Sequence, residues 1–177
     1  MPSLLDPGLE QPIRIVLGPQ DDFYSEDAIE ALLSSSYSIS PQADRMGYRL
    51  EGPQLEHTRG YNIVSDPIVA GSIQVPGSGQ PIVLLADAQA TGGYPKIGIV
   101  ISADLPVLGR RRPGDLVRFT AIAQPEVEAL LREQEAQVRR TIANLFEVKR
   151  GALLDAQALY ETNLVSGMVD AFEGPDA

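Results

Sequence analysis

Cysteine is absent from the 177 residues, so the chain can build no disulfide, thiol nucleophile or thiolate metal site. That fits a reducing compartment, and a cytoplasmic protein is the expectation. Histidine is nearly absent, with His57 the only one. Glu56 beside it does not share its face on an extended chain, so the expectation is a surface-loop histidine and no metal centre. A Ser-His-Asp arrangement would have to use His57, and no GxSxG turn accompanies it. Neither a phosphate-cradling P-loop nor a Rossmann glycine fingerprint occurs; Gly77-Ser78-Gly79 reads as a hairpin turn. Positive charge is scarce: 14 Lys and Arg stand against 24 Asp and Glu, a net charge of −10. Phosphate-rich partners need a basic face, so neither nucleic acid nor an anionic membrane surface is expected. No apolar run approaches the roughly 20 residues that span a bilayer. The opening MPSLLDPGLEQP lacks the basic start and apolar core of a signal peptide.

What is present is a series of short β-branched runs separated by Gly, Pro and Asp. Residues 13–17 (IRIVL), 37–40, 48–52, 63–70, 73–75, 81–86, 97–102 and 116–122 each read as strands. Residues 76–80 form a turn of hairpin shape between two of them. Ser25 is placed to cap a short helix over residues 28–33, with Glu26 and Asp27 suited to its positive end. Strands at this spacing predict a mainly β fold, an antiparallel barrel or sandwich with short flanking helices. After residue 123 the composition changes. Residues 124–150 hold one proline, Pro125, suited to a first helical turn, and no glycine before Gly151. Val127, Leu131, Val138, Ile142 and Leu145 lie near a common helical face. The expected organisation is a lead-in over 1–12, a barrel over 13–123 and a helical tail over 124–177. A second helical segment is expected at 152–172, and the tail is a candidate surface for self-association.

Two polar loops can carry chemistry. In residues 41–47, Gln42, Asp44 and Arg45 crowd between proline and glycine. Arg45 can clamp a carboxylate, carboxybiotin or phosphate in two-point fashion, or simply order its own loop. In residues 87–96, Lys96 can stabilise a developing oxyanion and Gln89 and Thr91 can bond a carbonyl. The Gly92-Gly93 backbone allows close approach of a ligand. A structural loop with Lys96 in solvent is the competing reading. Arg110-Arg111-Arg112 reads as a solvated turn.

The runs LGPQDD (17–22), SPQADRMGYRLEG (40–52), GSIQVPGSGQPIVLLADAQATGGYPKIG (71–98), ISADLP (101–106) and RPGDLVRF (112–119) occur in this order. Together they resemble the KipA, or allophanate-hydrolase-subunit-2-like, family, also called biotin-dependent carboxyltransferase or the C component of 5-oxoprolinase. The resemblance covers about residues 13–140 and corresponds to the C-terminal half of a usual member. It implies a cyclophilin-like β-barrel working with a KipI-like, subunit-1 partner, and with the missing N-terminal half of the family. It further implies a complex acting on an amide or lactam, such as 5-oxoproline or urea. No cofactor is expected on this chain itself, ATP or carboxybiotin being handled by partner subunits. By position, the resemblance places Gln42, Arg45, Gln89, Thr91, Tyr94 and Lys96 near the site, with Gly92 and Gly93 between them. Arg45 and Lys96 are the catalytic candidates, and the others bind substrate. Ala90, where a hydroxyl residue is expected, and the segment after Arg150 depart from the pattern. The alternative is a non-catalytic binding module with an incomplete site. Proline isomerisation is a third reading, suggested by barrel type alone.

Overall fold

The computed structural model describes residues 11–145. Alternation of β-branched residues makes the first strand, β1 (Ile13–Leu17), which buries Ile13 and Ile15 and ends at Gly18-Pro19. A 3-10 turn (Asp21–Phe23) leads to α1 (Glu26–Ser34). The Ser25 hydroxyl accepts from the Ala28 N–H at 3.1 Å, so the helix starts where the capping pattern requires. β2 (Ser36–Ile39) and β3 (Gly47–Glu51) follow, then β4 (Asp66–Pro67), β5 (Ser72–Gln74), β6 (Ile82–Leu84), β7 (Thr91–Gly92) and β8 (Lys96–Val100). A single-turn helix, α2 (Leu105–Leu108), precedes β9 (Leu116–Ala121) and the long α3 (Gln124–Ala143).

Seven of these strands close into a barrel in the order β1-β8-β5-β6-β3-β2-β9. The sequence led us to expect antiparallel pairing throughout, and one seam departs from it. A closed ring with an odd number of strands cannot alternate direction all the way round. The parallel seam falls between β1 and β9, where Ile13 sits opposite Phe119. Tyr37, Leu50, Ile73, Val83, Ile97 and Phe119 fill the interior, and α1 adds Ala28 and Leu32.

Pairing order also changes the reading of residues 81–102. β6 and β8 are not neighbours; β5 lies between them, with Ile73 facing Val83 on one side and Gly98 on the other. Both run antiparallel to β5 and so parallel to each other, and the connection over residues 87–96 must therefore cross over a face of β5. On the way it forms β7, which pairs with β4 outside the barrel.

Three further expectations need correction. The run 63–70 forms a strand only at Asp66–Pro67, since its strand partner among the described residues is the two-residue β7, and Val64 is 91 % exposed. Arg111 is not in a solvated turn. It is buried, its Nη2 donating to Gln11 O at 3.0 Å and its Nη1 to Leu116 O, and burial pulls its pKa down. His57 is half-buried rather than on the surface: its ring lies 4.9 Å from that of Tyr24, with Nε2 3.0 Å from Val75 O. Residues 1–10 of the expected lead-in, Gly151 and the expected helix at 152–172 lie outside the described residues.

Candidate functional site

The crossing over residues 87–96 is pinned along its whole length. Asp87 N–H donates to Arg45 O at 3.2 Å, Ile68 N–H to Ala90 O at 2.9 Å and Ile63 N–H to Gly93 O at 2.8 Å. The Tyr24 hydroxyl donates to Pro95 O at 2.7 Å, and Lys96 N–H donates to Gln20 Oε1 at 3.1 Å. Burial beside that bond raises the Tyr24 pKa well above the usual phenol range. A loop fastened this often has its backbone course fixed before any ligand arrives.

Beneath the crossing lies a cavity of about 250 Å³. Gln89, Thr91, Gly92, Gly93 and Tyr94 line it, so five of the expected binding residues share one wall. Asp44, Arg49 and Gln74 complete its polar surface. Gln74 is buried, and its Nε2 donates to Tyr94 O at 3.2 Å. A Cβ at Gly92 would lie 2.5 Å from Gln74 Nε2 and 2.6 Å from Ile68 Cδ1, so any larger residue there must displace the ends of both side chains. The Asp44 carboxylate accepts from the N–H groups of Met46 (2.8 Å) and Gly47 (3.1 Å), which fixes the turn into β3.

Arg45 stands outside this cavity. It borders a neighbouring one of about 450 Å³, with Tyr48, Leu85 and Leu105; Asp44 belongs to both. Its Nε lies 2.9 Å from Asp87 Oδ2, so the two polar loops are tied directly, through side chains 88 % and 44 % exposed. Gln42 is exposed and borders neither cavity, its N–H lying 3.4 Å from Ser40 Oγ.

Lys96, one of two lysines in the sequence, borders neither cavity. It is 2 % exposed, and its ammonium donates to the carboxylate of Asp66 and, at 3.1 Å, to Pro67 O. Gln20 Nε2 reaches the same Asp66 oxygen at 3.2 Å. Hydrogen bonds from Lys96 and then Gln20 hold the Asp66 carboxyl below the usual carboxylate range. The group clasps β4 to the start of β8. The solvated Lys96 weighed from the sequence is thus not what the fold contains.

Gln74, Asp66 and Gln20 escaped the sequence reading. Gln74 lies between Ile73 and Val75 and reads as the solvent-facing member of an alternating strand; only the crossing overhead buries it. Asp66 lies in the two-residue β4 and Gln20 in the turn after β1, and neither stands out from its polar neighbours in the sequence. The cavity offers amide, hydroxyl and backbone groups, with one carboxylate and one guanidinium at its edge. Met46, Ile68, Ile82 and Leu84 supply its apolar part, so the lining can hold a small ligand that carries both hydrogen-bond donors and acceptors.

The family pattern for the carboxyltransferase domain, subdomains A and B, matches residues 3–121. The C component of 5-oxoprolinase from Haemophilus influenzae is 42 % identical over 135 residues, covering 66 % of this chain and 44 % of that protein. The urea amidolyase of Lachancea kluyveri is 25 % identical over 140 residues, covering 73 % of this chain and 8 % of the other. The chain therefore spans less than half the length of either relative. Among solved structures, Kluyveromyces lactis urea carboxylase aligns with a TM-score of 0.69 at 23 % identity, over 81 % of this chain and 14 % of that one. That similarity bears on the fold alone.

Proposed function

The chain belongs to the carboxyltransferase-domain family, subdomains A and B, and from that membership we propose that it is a subunit of a complex acting on an amide or lactam bond. 5-Oxoproline is the first substrate to test, since the C component of a 5-oxoprolinase is 42 % identical over the matched stretch. The observation that carries the reading is the cavity under residues 87–96. Its Gln74, Gln89 and Thr91 side chains and its Gly92-Gly93 backbone can hold an N–C=O group by both its donor and its acceptor. Charge developing on the carbonyl oxygen would meet donors from the Gln89 and Thr91 side chains and the Gly92-Gly93 backbone, the kind of arrangement that lowers a barrier. Arg45, at the rim of the adjoining cavity, is placed for the carboxylate of a substrate once it exchanges Asp87 for it. A KipI-like subunit would supply the opposing wall and handle ATP or carboxybiotin.

The test is reconstitution. The chain is mixed with a KipI-like subunit and the remaining components of a 5-oxoprolinase, and ATP hydrolysis dependent on 5-oxoproline is followed. Turnover that requires this chain supports the reading; turnover of equal rate without it overturns it.

A second reading, a non-catalytic binding module, draws on a different observation. Lys96 and Arg45, the cations expected to do chemistry, are both engaged by carboxylates. Capture of the KipI-like subunit with no substrate-dependent turnover would favour it.

A further inference from the structure

α3 carries no buried residue, yet it has an apolar stripe. Leu131, Val138 and Ile142 are 37 %, 48 % and 60 % exposed, and Val127 is half-buried. Their positions give intervals of 4 (127 to 131), 7 (131 to 138) and 4 (138 to 142) residues. The series reads identically in both directions. A second copy running antiparallel, with the two-fold axis between Gln134 and Glu135, sets Val127 opposite Ile142 and Leu131 opposite Val138. These spacings also keep the stripe on one helical side, as an interhelical seam requires.

Charge obeys the same symmetry. Glu126, Glu128 and Glu133 lie in the first half, and Arg139 and Arg140 in the second. Arg132 and Glu135, close to the axis, reduce the sign of each half without reversing it. Antiparallel pairing brings the acids of one copy to the arginines of the other; parallel pairing sets like against like. Arg139 and Arg140 make contacts of their own, and Glu128 meets Arg132 at 3.0 Å in an exposed pair. Those contacts leave the sign of each half unchanged. The opposed helix dipoles favour the same direction.

We infer that α3 pairs antiparallel with α3 of a second copy of this chain. At about 1.5 Å per residue the helix is about 30 Å long, near three heptads, so the expected product is a weak dimer that forms with rising concentration. This inference does not depend on which substrate the chain's complex takes.

Sedimentation equilibrium of the full chain from micromolar to several hundred micromolar tests it. The expected result is a monomer–dimer equilibrium that Leu131→Glu/Val138→Glu weakens by at least about tenfold, because each charge would have to enter the seam unpaired. Glu128→Arg and Arg140→Glu should each weaken the dimer, and an equimolar mixture of the two should restore it. Three results overturn the inference: a wild-type chain that stays monomeric throughout, a dimer that Leu131→Glu/Val138→Glu leaves intact, or charge variants that fail to rescue each other. A monomer whose melting temperature falls in Leu131→Glu/Val138→Glu would show instead that the chain covers the stripe itself.

Discussion

The ammonium of Lys96 is held by the carboxylate of Asp66, 30 positions earlier in the chain, with the lysine side chain almost wholly buried and the aspartate partly open to solvent. The two ends of this pair are therefore unequal. Removing Lys96 leaves a carboxylate that water can reach; removing Asp66 leaves a cation in the interior that keeps its bond to the Pro67 carbonyl but loses its counter-charge. We expect melting temperatures in the order Asp66→Ala, Lys96→Met, wild type, from lowest to highest. The double variant should recover part of the loss seen in Asp66→Ala. Differential scanning calorimetry checks this, and equal losses in the two single variants would contradict it.

The same pair sets a dependence on pH. The folded state lowers the Asp66 pKa through its bonds from Lys96 and Gln20. Its contribution to stability is therefore complete above the unfolded carboxyl value of about 4. It is lost as pH falls through the lowered folded value. Urea titrations of wild type and Asp66→Asn should show a constant stability gap from pH 7 to about pH 5 that closes in stronger acid.

Gly92 is the tightest point of the candidate site. Gly92→Ala should leave the far-ultraviolet circular dichroism of the barrel unchanged while displacing Gln74, whose Nε2 would lie 2.5 Å from the new methyl group. In the reconstituted complex we expect this variant to lose activity at least about tenfold, the scale on which small displacements of binding groups act. Gly92→Ala/Gln74→Ala relieves one of the two clashes, since Ile68 Cδ1 remains 2.6 Å away. It should not recover activity.

Arg45 separates stability from function. Its pairing with Asp87 is exposed, and such pairs contribute about 0–1 kcal/mol. Arg45→Ala should leave the urea midpoint within error of wild type. If Arg45 takes the substrate carboxylate, the variant raises KM in the complex, and Arg45→Lys restores charge without two-point geometry and so repairs KM only in part.

A structural counterpart is Asp104. Its carboxylate accepts from the Arg14 N–H (2.8 Å), Nε (3.0 Å) and Nη2 (2.6 Å), joining β1 to the start of α2. The hydrogen bond and charge of Asp104 raise the Arg14 pKa. Asp104→Ala removes all three bonds and should cost about 2–3 kcal/mol by urea unfolding, allowing for an arginine one-third open to water.

What the sequence determined by itself was local. Alternation marked β2 and β3, β-branched runs marked β1 and β9, Ser25 marked the start of α1, and glycine and proline marked the turns. Each of these signals acts within a few residues, through backbone sterics or a single cap bond. The family resemblance added the stretch that lines the cavity. Only the tertiary structure decided which strands are neighbours, and an odd ring then required one parallel seam. Burial of polar groups was decided there too. Gln74 is covered by a crossing that exists because β5 lies between β6 and β8. Gln20 reaches Lys96 from 76 positions away, and Arg111 reaches Gln11 across 100. A lysine or arginine looks the same in sequence whether it faces solvent or a buried carboxylate. The difference lies in partners supplied by distant parts of the chain, which no local pattern records.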